Sequence, residues 1–189
     1  MKIKLTVAIT GASGTVLGVR LLEELKKKGV ETHTIVSCGA YEVAKYELGD
    51  IKKIKSRIIS NSSHIYEEAD IAACIASGSY KTDGMIIVPC SMKTLSSVAN
   101  GYSDNLISRA ADVCIRYKRK LVLVPRETPL NPIHLENMLK LSRLGVWILP
   151  PNISYYHNPK TLDDMTDFIV GKMLDCFDID HKLYKKWCQ

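Results

Sequence analysis

The chain has 189 residues, 46% hydrophobic and 24% charged, with a formal charge of +6. This length suits one domain with a substantial core, and no composition shift divides it, so residues 1–189 are expected to fold as a single unit. The excess charge lies in short clusters at Lys26–Lys28, Lys52–Lys55 and Lys118–Lys120, without interleaved aromatics, which argues against nucleic acid. No apolar stretch approaches bilayer length and the N-terminus has no signal-peptide core, so a cytoplasmic protein with no membrane partner is expected.

The first apolar run, Leu5 to Ile9, passes through Thr10-Gly11-Ala12-Ser13-Gly14 into an amphipathic segment. That pattern predicts a buried strand, a tight turn and a helix at 14–28, ending at Lys26–Lys28 before Gly29. Glycine lets backbone approach a ligand, and the free amides of a helix N-terminus favour an anion, so the turn is a candidate phosphate cradle. A second strand at His33 to Val36 ends in Ser37-Cys38-Gly39 and precedes a helix at 39–48. Residues 50–70 are weakly patterned and predict a short helix and a surface excursion. Met85 to Val88 forms a third strand, followed by helices at 93–100 and 103–118, and Leu121 to Val124 a fourth. Asn131 and Pro132 open a helix at 132–144 whose expected buried stripe is Leu135, Met138, Leu139, Leu141 and Leu144. A strand at Val146 to Leu149 and a helix at 161–176 complete the pattern. The tail, 179–189, carries Leu183, Tyr184 and Trp187 and is expected to dock on the body or on a neighbouring subunit. Near-continuous apolar strands alternating with helices predict an α/β three-layer fold around a mainly parallel sheet. Cysteines 38, 74, 90, 114, 176 and 188 form no CxxC pair and are expected as free thiols.

Open α/β sheets bind ligands at the carboxyl ends of their strands. There, successive strands deliver Ser13, Ser37, Ser91 with Thr94, and the pair Arg126-Glu127. The spacing Gly11-x-x-Gly14-x-x-x-Gly18 is not a dinucleotide fingerprint, and no GK[ST] follows it. A hydroxyl, Ser37, stands where a ribose-binding acid would, which points to the terminal phosphate of a mononucleotide such as FMN. Asp163-Asp164-Met165-Thr166-Asp167 spells DDxxD, but it follows Thr161 at a helix start, where acids are favoured by the dipole alone. His134-Leu135-Glu136 lacks a downstream PCxxC, and no histidine spacing in the chain indicates a metal site.

Several segments carry a resemblance to a known family: Thr10–Gly14, Ser77-Gly78-Ser79, Pro89-Cys90-Ser91-Met92-Lys93-Thr94-Leu95, Gly101 to Leu106, Arg109 to Val113, Pro125 to Leu130, His134 to Met138 and Tyr155-Tyr156-His157. In this order, essentially end to end, they resemble the UbiX-type flavin prenyltransferases, including the small subunits that accompany hydroxyarylic acid decarboxylases. The resemblance implies a flavodoxin-like or Rossmann-like fold, reduced FMN, and a metal-independent transfer of a dimethylallyl unit from dimethylallyl phosphate to flavin N5 and C6. It also implies a homododecamer built from trimers, and a prenylated-FMN-dependent decarboxylase as recipient of the product. By motif position it places Gly11, Ala12, Ser13, Gly14, Ser37, Ser91, Thr94, Arg109 and Arg126 around FMN. Arg116, Arg126, Tyr156 and Lys172 fall around the donor phosphate, and Glu47 and Glu127, relayed through Ser13, are the implied proton carriers. The family often has Lys at Arg116, Glu at Tyr117 and Arg at Lys172, exchanges that keep charge at 116 and 172 but alter fork geometry. An FMN-dependent cysteine-type decarboxylase of the same fold and a non-catalytic FMN carrier are the alternatives. Lys93, where the former has an Asn, argues against it; the basic charge argues against the latter.

Overall fold

In a computed structural model that describes residues 3–187, the apolar runs become strands of one sheet. They are β1 (Lys4–Ile9), β2 (Glu31–Val36), β3 (His64–Glu67), β4 (Gly84–Cys90), β5 (Lys120–Pro125) and β6 (Trp147–Ile148). The order is β3-β2-β1-β4-β5-β6 and every pairing is parallel, the doubly wound α/β arrangement. The helices are α1 (Thr15–Lys27), α2 (Cys38–Leu48), α3 (Ile51–Asn61), α4 (Met92–Ala99), α5 (Leu106–Arg116), α6 (Pro132–Arg143) and α7 (Leu162–Asp175). Successive strand side chains point to opposite faces, and each face here has its own core. Leu5, Val7 and Ile9 pack with α1, α2, α3 and α7, whereas Ala8, Met85 and Ile87 pack with α4, α5 and α6. Both faces are covered, so the strands read as apolar runs without polar alternation. No helix among the described residues is long and apolar enough to cross a membrane. Cys38, Cys74, Cys90, Cys114 and Cys176 are free thiols, and Cys188 lies outside the described residues.

Three stretches of the chain differ from the sequence expectation. The weakly patterned stretch holds an eleven-residue helix, α3, and a sixth strand, β3. Only Ile54 and Ile58 of α3 are buried. β3 is an edge strand paired only with β2, so neither element needed a long apolar run. Helix α5 begins at Leu106 rather than 103, because Asn105 and Ser108 close a reciprocal capping box. The stripe of α6 is the third difference: Leu141 is buried, but Leu135, Leu139 and Leu144 are 52%, 51% and 58% exposed. The expected buried stripe is therefore not one: the chain's own core receives Leu141 and, in part, Met138.

Helix α1 lies so close to the sheet that a Cβ on Gly18 would come 2.7 Å from the Val88 carbonyl oxygen and 2.9 Å from Ile9. At its far end, the tail packs back on α7. Tyr184 donates its hydroxyl to Asp175 at 2.5 Å, His181 lies 3.1 Å from the same carboxylate, and Ile179 is buried. Asp167 of the DDxxD run pairs with Arg20 and Asp164 accepts from the Lys160 and Thr161 amides, so two of its three acids are engaged by their own chain.

Candidate active site at the carboxyl edge of the sheet

The chain order makes β1 and β4 neighbours whose connections leave in opposite directions, and a crevice opens where they diverge. It is a cleft of ≈ 370 Å³ lined by Thr10 and Gly11 after β1, Ser37 and Gly39 after β2, Ser91, Lys93, Thr94 and Ser97 after β4, and Asn105, Ile107 and Ser108 at the start of α5. Hydrogen bonds fix its floor. The Thr10 hydroxyl donates to the Pro89 carbonyl at 2.7 Å and accepts from the Ser91 amide at 2.8 Å. Ser37 caps α2 by accepting from the Ala40 amide, and Ser91 caps α4 by accepting from the Thr94 amide. Gly11 passes Gly39 so closely that a Cβ on it would lie 3.0 Å from the Gly39 carbonyl carbon, so the lip is backbone against backbone. Two helix N-termini and the exposed Lys93 thus direct positive charge into one hydroxyl-lined cleft, a good cradle for a phosphate. One acid, Glu68, also lines it, and its carboxylate accepts from the Cys38 amide.

The Ser13 turn is arranged differently from the simple phosphate cradle expected of it. Gly14, at φ 99°, caps α1, and its amide and that of Thr15 donate to the Glu47 carboxylate at 2.9 and 3.0 Å. The Thr15 hydroxyl adds a bond of 2.8 Å. The α1 N-terminus therefore already holds an anion, supplied by α2. Partial burial disfavours ionised Glu47, but hydrogen bonds from the Ser13 and Thr15 hydroxyls and the two amides outweigh it and hold the carboxyl below the usual range.

Of the residues singled out in the sequence, Gly11, Ser37, Ser91 and Thr94 line the cleft. Ala12, Ser13 and Gly14 follow Gly11 in the same turn, and Glu47 is bonded to the Gly14 and Thr15 amides. Arg109 sits at the first turns of α5, bonded to the Ala76 carbonyl and paired with Asp112. Arg126 follows β5, and its Nε is buried without a hydrogen-bond partner. Glu127 is exposed, accepts from the Thr128 amide, and lines a separate cavity with Met138 and Asn152. Tyr156 and Lys172 both lie against Phe168, at 5.9 Å between ring centroids and 5.5 Å from ammonium to centroid. Arg116 is paired with Asp112 at the last turn of α5, about 12 Å along the axis from Ser108 and next to the opening of β5. One chain does not bring Arg116 to the cleft. Lys93, Ser97, Asn105 and Ser108 were not singled out as ligand residues; the capping-box spacing at Asn105–Ser108 was the available signal.

The family model for flavoproteins matches residues 1–186. The flavin prenyltransferase UbiX of Halalkalibacterium halodurans is 50% identical over 189 residues, covering 96% of this chain and 92% of that protein. The chain belongs to the UbiX-type flavin prenyltransferases. A further flavin prenyltransferase, the mitochondrial PAD1 of Saccharomyces cerevisiae, is 47% identical over 97% of this chain and 75% of its own length. Among solved structures, AnUbiX in complex with FMN and dimethylallyl pyrophosphate superposes with a TM-score of 0.96 at 42% identity, covering 100% of this chain and 99% of that one. A dodecameric FMN-dependent Ubix-like decarboxylase from Escherichia coli O157:H7 gives 0.94 at 45% identity, covering 99% and 100%. A PPC decarboxylase at 17% identity and a TM-score of 0.69, covering 94% of this chain and 100% of that one, shares the fold with these flavin prenyltransferases.

Proposed function

We propose that the chain joins a dimethylallyl unit from dimethylallyl phosphate or diphosphate to N5 and C6 of reduced FMN. The observation that carries this reading is the hydroxyl-lined cleft, with two helix N-termini and Lys93 turned into it, in a chain half identical to a flavin prenyltransferase. The residues fit FMN: the cleft suits its phosphate, and the unpartnered Arg126 Nε supplies a buried donor. Reduced FMN bound there supplies the nucleophilic N5 and C6 positions. Ser37, Ser91, Thr94 and Lys93 hold its phosphate, while Gly11, Ala12, Ser13, Gly14 and Arg109 flank the flavin.

Breaking an allylic C–O bond places negative charge on the departing phosphate. Fixed donors aimed at that charge lower the barrier. Arg126, Tyr156, Lys172 and Arg116 are assigned that work. Because Arg116 stands at the opposite end of α5 from the cleft, it serves a donor phosphate held by a neighbouring copy of the chain. Glu127 carries protons from the reacting centre; Glu47, pinned at α1, acts through Ser13. The exposed leucines of α6 fit the same reading of a homo-oligomer, a dodecamer as in the E. coli relative. The product passes to a prenylated-FMN-dependent decarboxylase, with both proteins in the cytoplasm.

Anaerobic incubation with reduced FMN and either dimethylallyl phosphate or the diphosphate tests the proposal. A flavin mass increased by one C5 unit is the expected result, and the faster donor identifies the substrate. Unmodified flavin with both donors overturns the reading.

A further inference from the structure

At the amino edge of the sheet, away from the cleft, cross-strand pairing assembles a second polar cluster. Glu31 and His33 lie on β2, and His64, the first residue of β3, pairs in register with His33. The His33 Nε2 and His64 Nε2 atoms lie 3.4 and 3.5 Å from the same Glu31 Oε1. All three candidate ligand atoms fall within 4.8 Å of one another. Tetrahedral zinc with bonds of 2.0–2.1 Å requires ligand atoms about 3.3 Å apart, close to the two short distances.

We propose that Glu31, His33 and His64 form a binding site for zinc or a similar divalent cation. His33 is prepared for ligation. Its side chain is only 1% exposed and its Nδ1 lies 2.9 Å from the Tyr66 hydroxyl. In the tautomer whose Nδ1–H donates to that oxygen, the Nε2 lone pair is the one that can accept from the Tyr80 hydroxyl, and a metal would take that hydroxyl's place. The two imidazole rings stack at 4.6 Å, so the half-exposed His64 ring turns out of the stack to bring its in-plane Nε2 lone pair to the same ion as His33. Two imidazoles and one carboxylate suit zinc, leaving the fourth position to water.

The present occupant of this place is itself a cation. The Lys4 ammonium lies 3.2 Å from Glu31 Oε1 and 3.0 Å from the Tyr80 hydroxyl, which in turn lies 3.0 Å from His33 Nε2. The metal therefore competes with Lys4, whose side chain is 27% exposed and has room to swing to solvent. Because the ligands come from β2 and from the short edge strand β3, the ion would clip that edge to the sheet.

The test uses the full chain, stripped of metal and titrated with zinc, with cobalt as a spectroscopic probe. Wild type should take up one ion per chain, and cobalt should show a four-coordinate visible spectrum without a thiolate charge-transfer band. His64→Ala, at a position half exposed, should weaken zinc about tenfold or more and abolish the rise in Tm that zinc gives the wild type. Lys4→Met should tighten zinc severalfold by removing the competitor. Equal affinity in wild type and His64→Ala, no change in Lys4→Met, or a thiolate-dominated cobalt spectrum overturns the proposal. Prenylation by His64→Ala should match wild type, which separates this site from the activity of the cleft.

Discussion

Glu47 and Glu127 show how the partners of a carboxylate set its role. Glu47 accepts from two backbone amides and the Thr15 hydroxyl, and these bonds hold it ionised. Glu127 keeps one bond, to the Thr128 amide, and is exposed. A carboxylate with so few ties is the better proton carrier. Glu127→Gln should retain FMN yet slow single-turnover prenylation by about 10²–10⁴-fold, measured by quenched-flow mass spectrometry of the flavin. Glu47→Gln should lower Tm at neutral pH. Since the folded pKa of Glu47 is depressed, its stabilisation is fully present above the ordinary carboxylate pKa of about 4.3 and is lost as pH falls through the lower folded value. Thermal melts of both proteins from pH 7 downward should therefore converge in acid. A constant difference at every pH would mean that packing, not charge, links Glu47 to α1.

Helix α1 couples the cleft to the core because it packs on β1 and β4 through Gly18. A methyl group there meets the Val88 carbonyl oxygen at 2.7 Å, which neither backbone can easily yield. Gly18→Ala should cost about 1–3 kcal/mol, read as a Tm loss of roughly 2–4 °C per kcal/mol in a chain of this size. The alanine's better helix propensity offsets less than 1 kcal/mol of that. The alternation of apolar runs and helices made five strands and both central crossovers legible in the sequence. The short helix expected within 50–70 is α3, but β3 was read as part of a surface excursion, because an edge strand with His64 exposed shows little hydrophobic signal. The cleft was legible for a related reason: Ser37 and Ser91 must cap the helices that follow β2 and β4, whatever else they bind.

The molecule as a whole exposes an apolar flank on α6 and β6, where Ile133, Leu135, Leu139, Leu144 and Trp147 are each half exposed or more. Under the proposed assembly these side chains are the candidate interface between copies of the chain. Leu139→Glu should leave the monomer folded by circular dichroism and shift its mass in light scattering towards smaller assemblies. Activity should fall with assembly, because Arg116 is separated from the cleft of its own chain. Mixing Arg116→Ala with Glu127→Gln subunits should then restore part of the activity that each variant lacks alone, which a site complete within one chain would not show.

By itself, the sequence determined the parallel α/β layering, the strand-end hydroxyls and the family, since these depend on local hydrophobic period, capping chemistry and contiguous motifs. Only the tertiary structure decided which anion the α1 N-terminus holds, because Glu47 reaches it from another helix. It likewise decided that the α6 leucines lie outside the chain's own core, and that Glu31, His33 and His64 converge. The physical reason is common to all three. Each depends on how separate elements face one another, and neither hydrophobic period nor residue spacing within one segment encodes that.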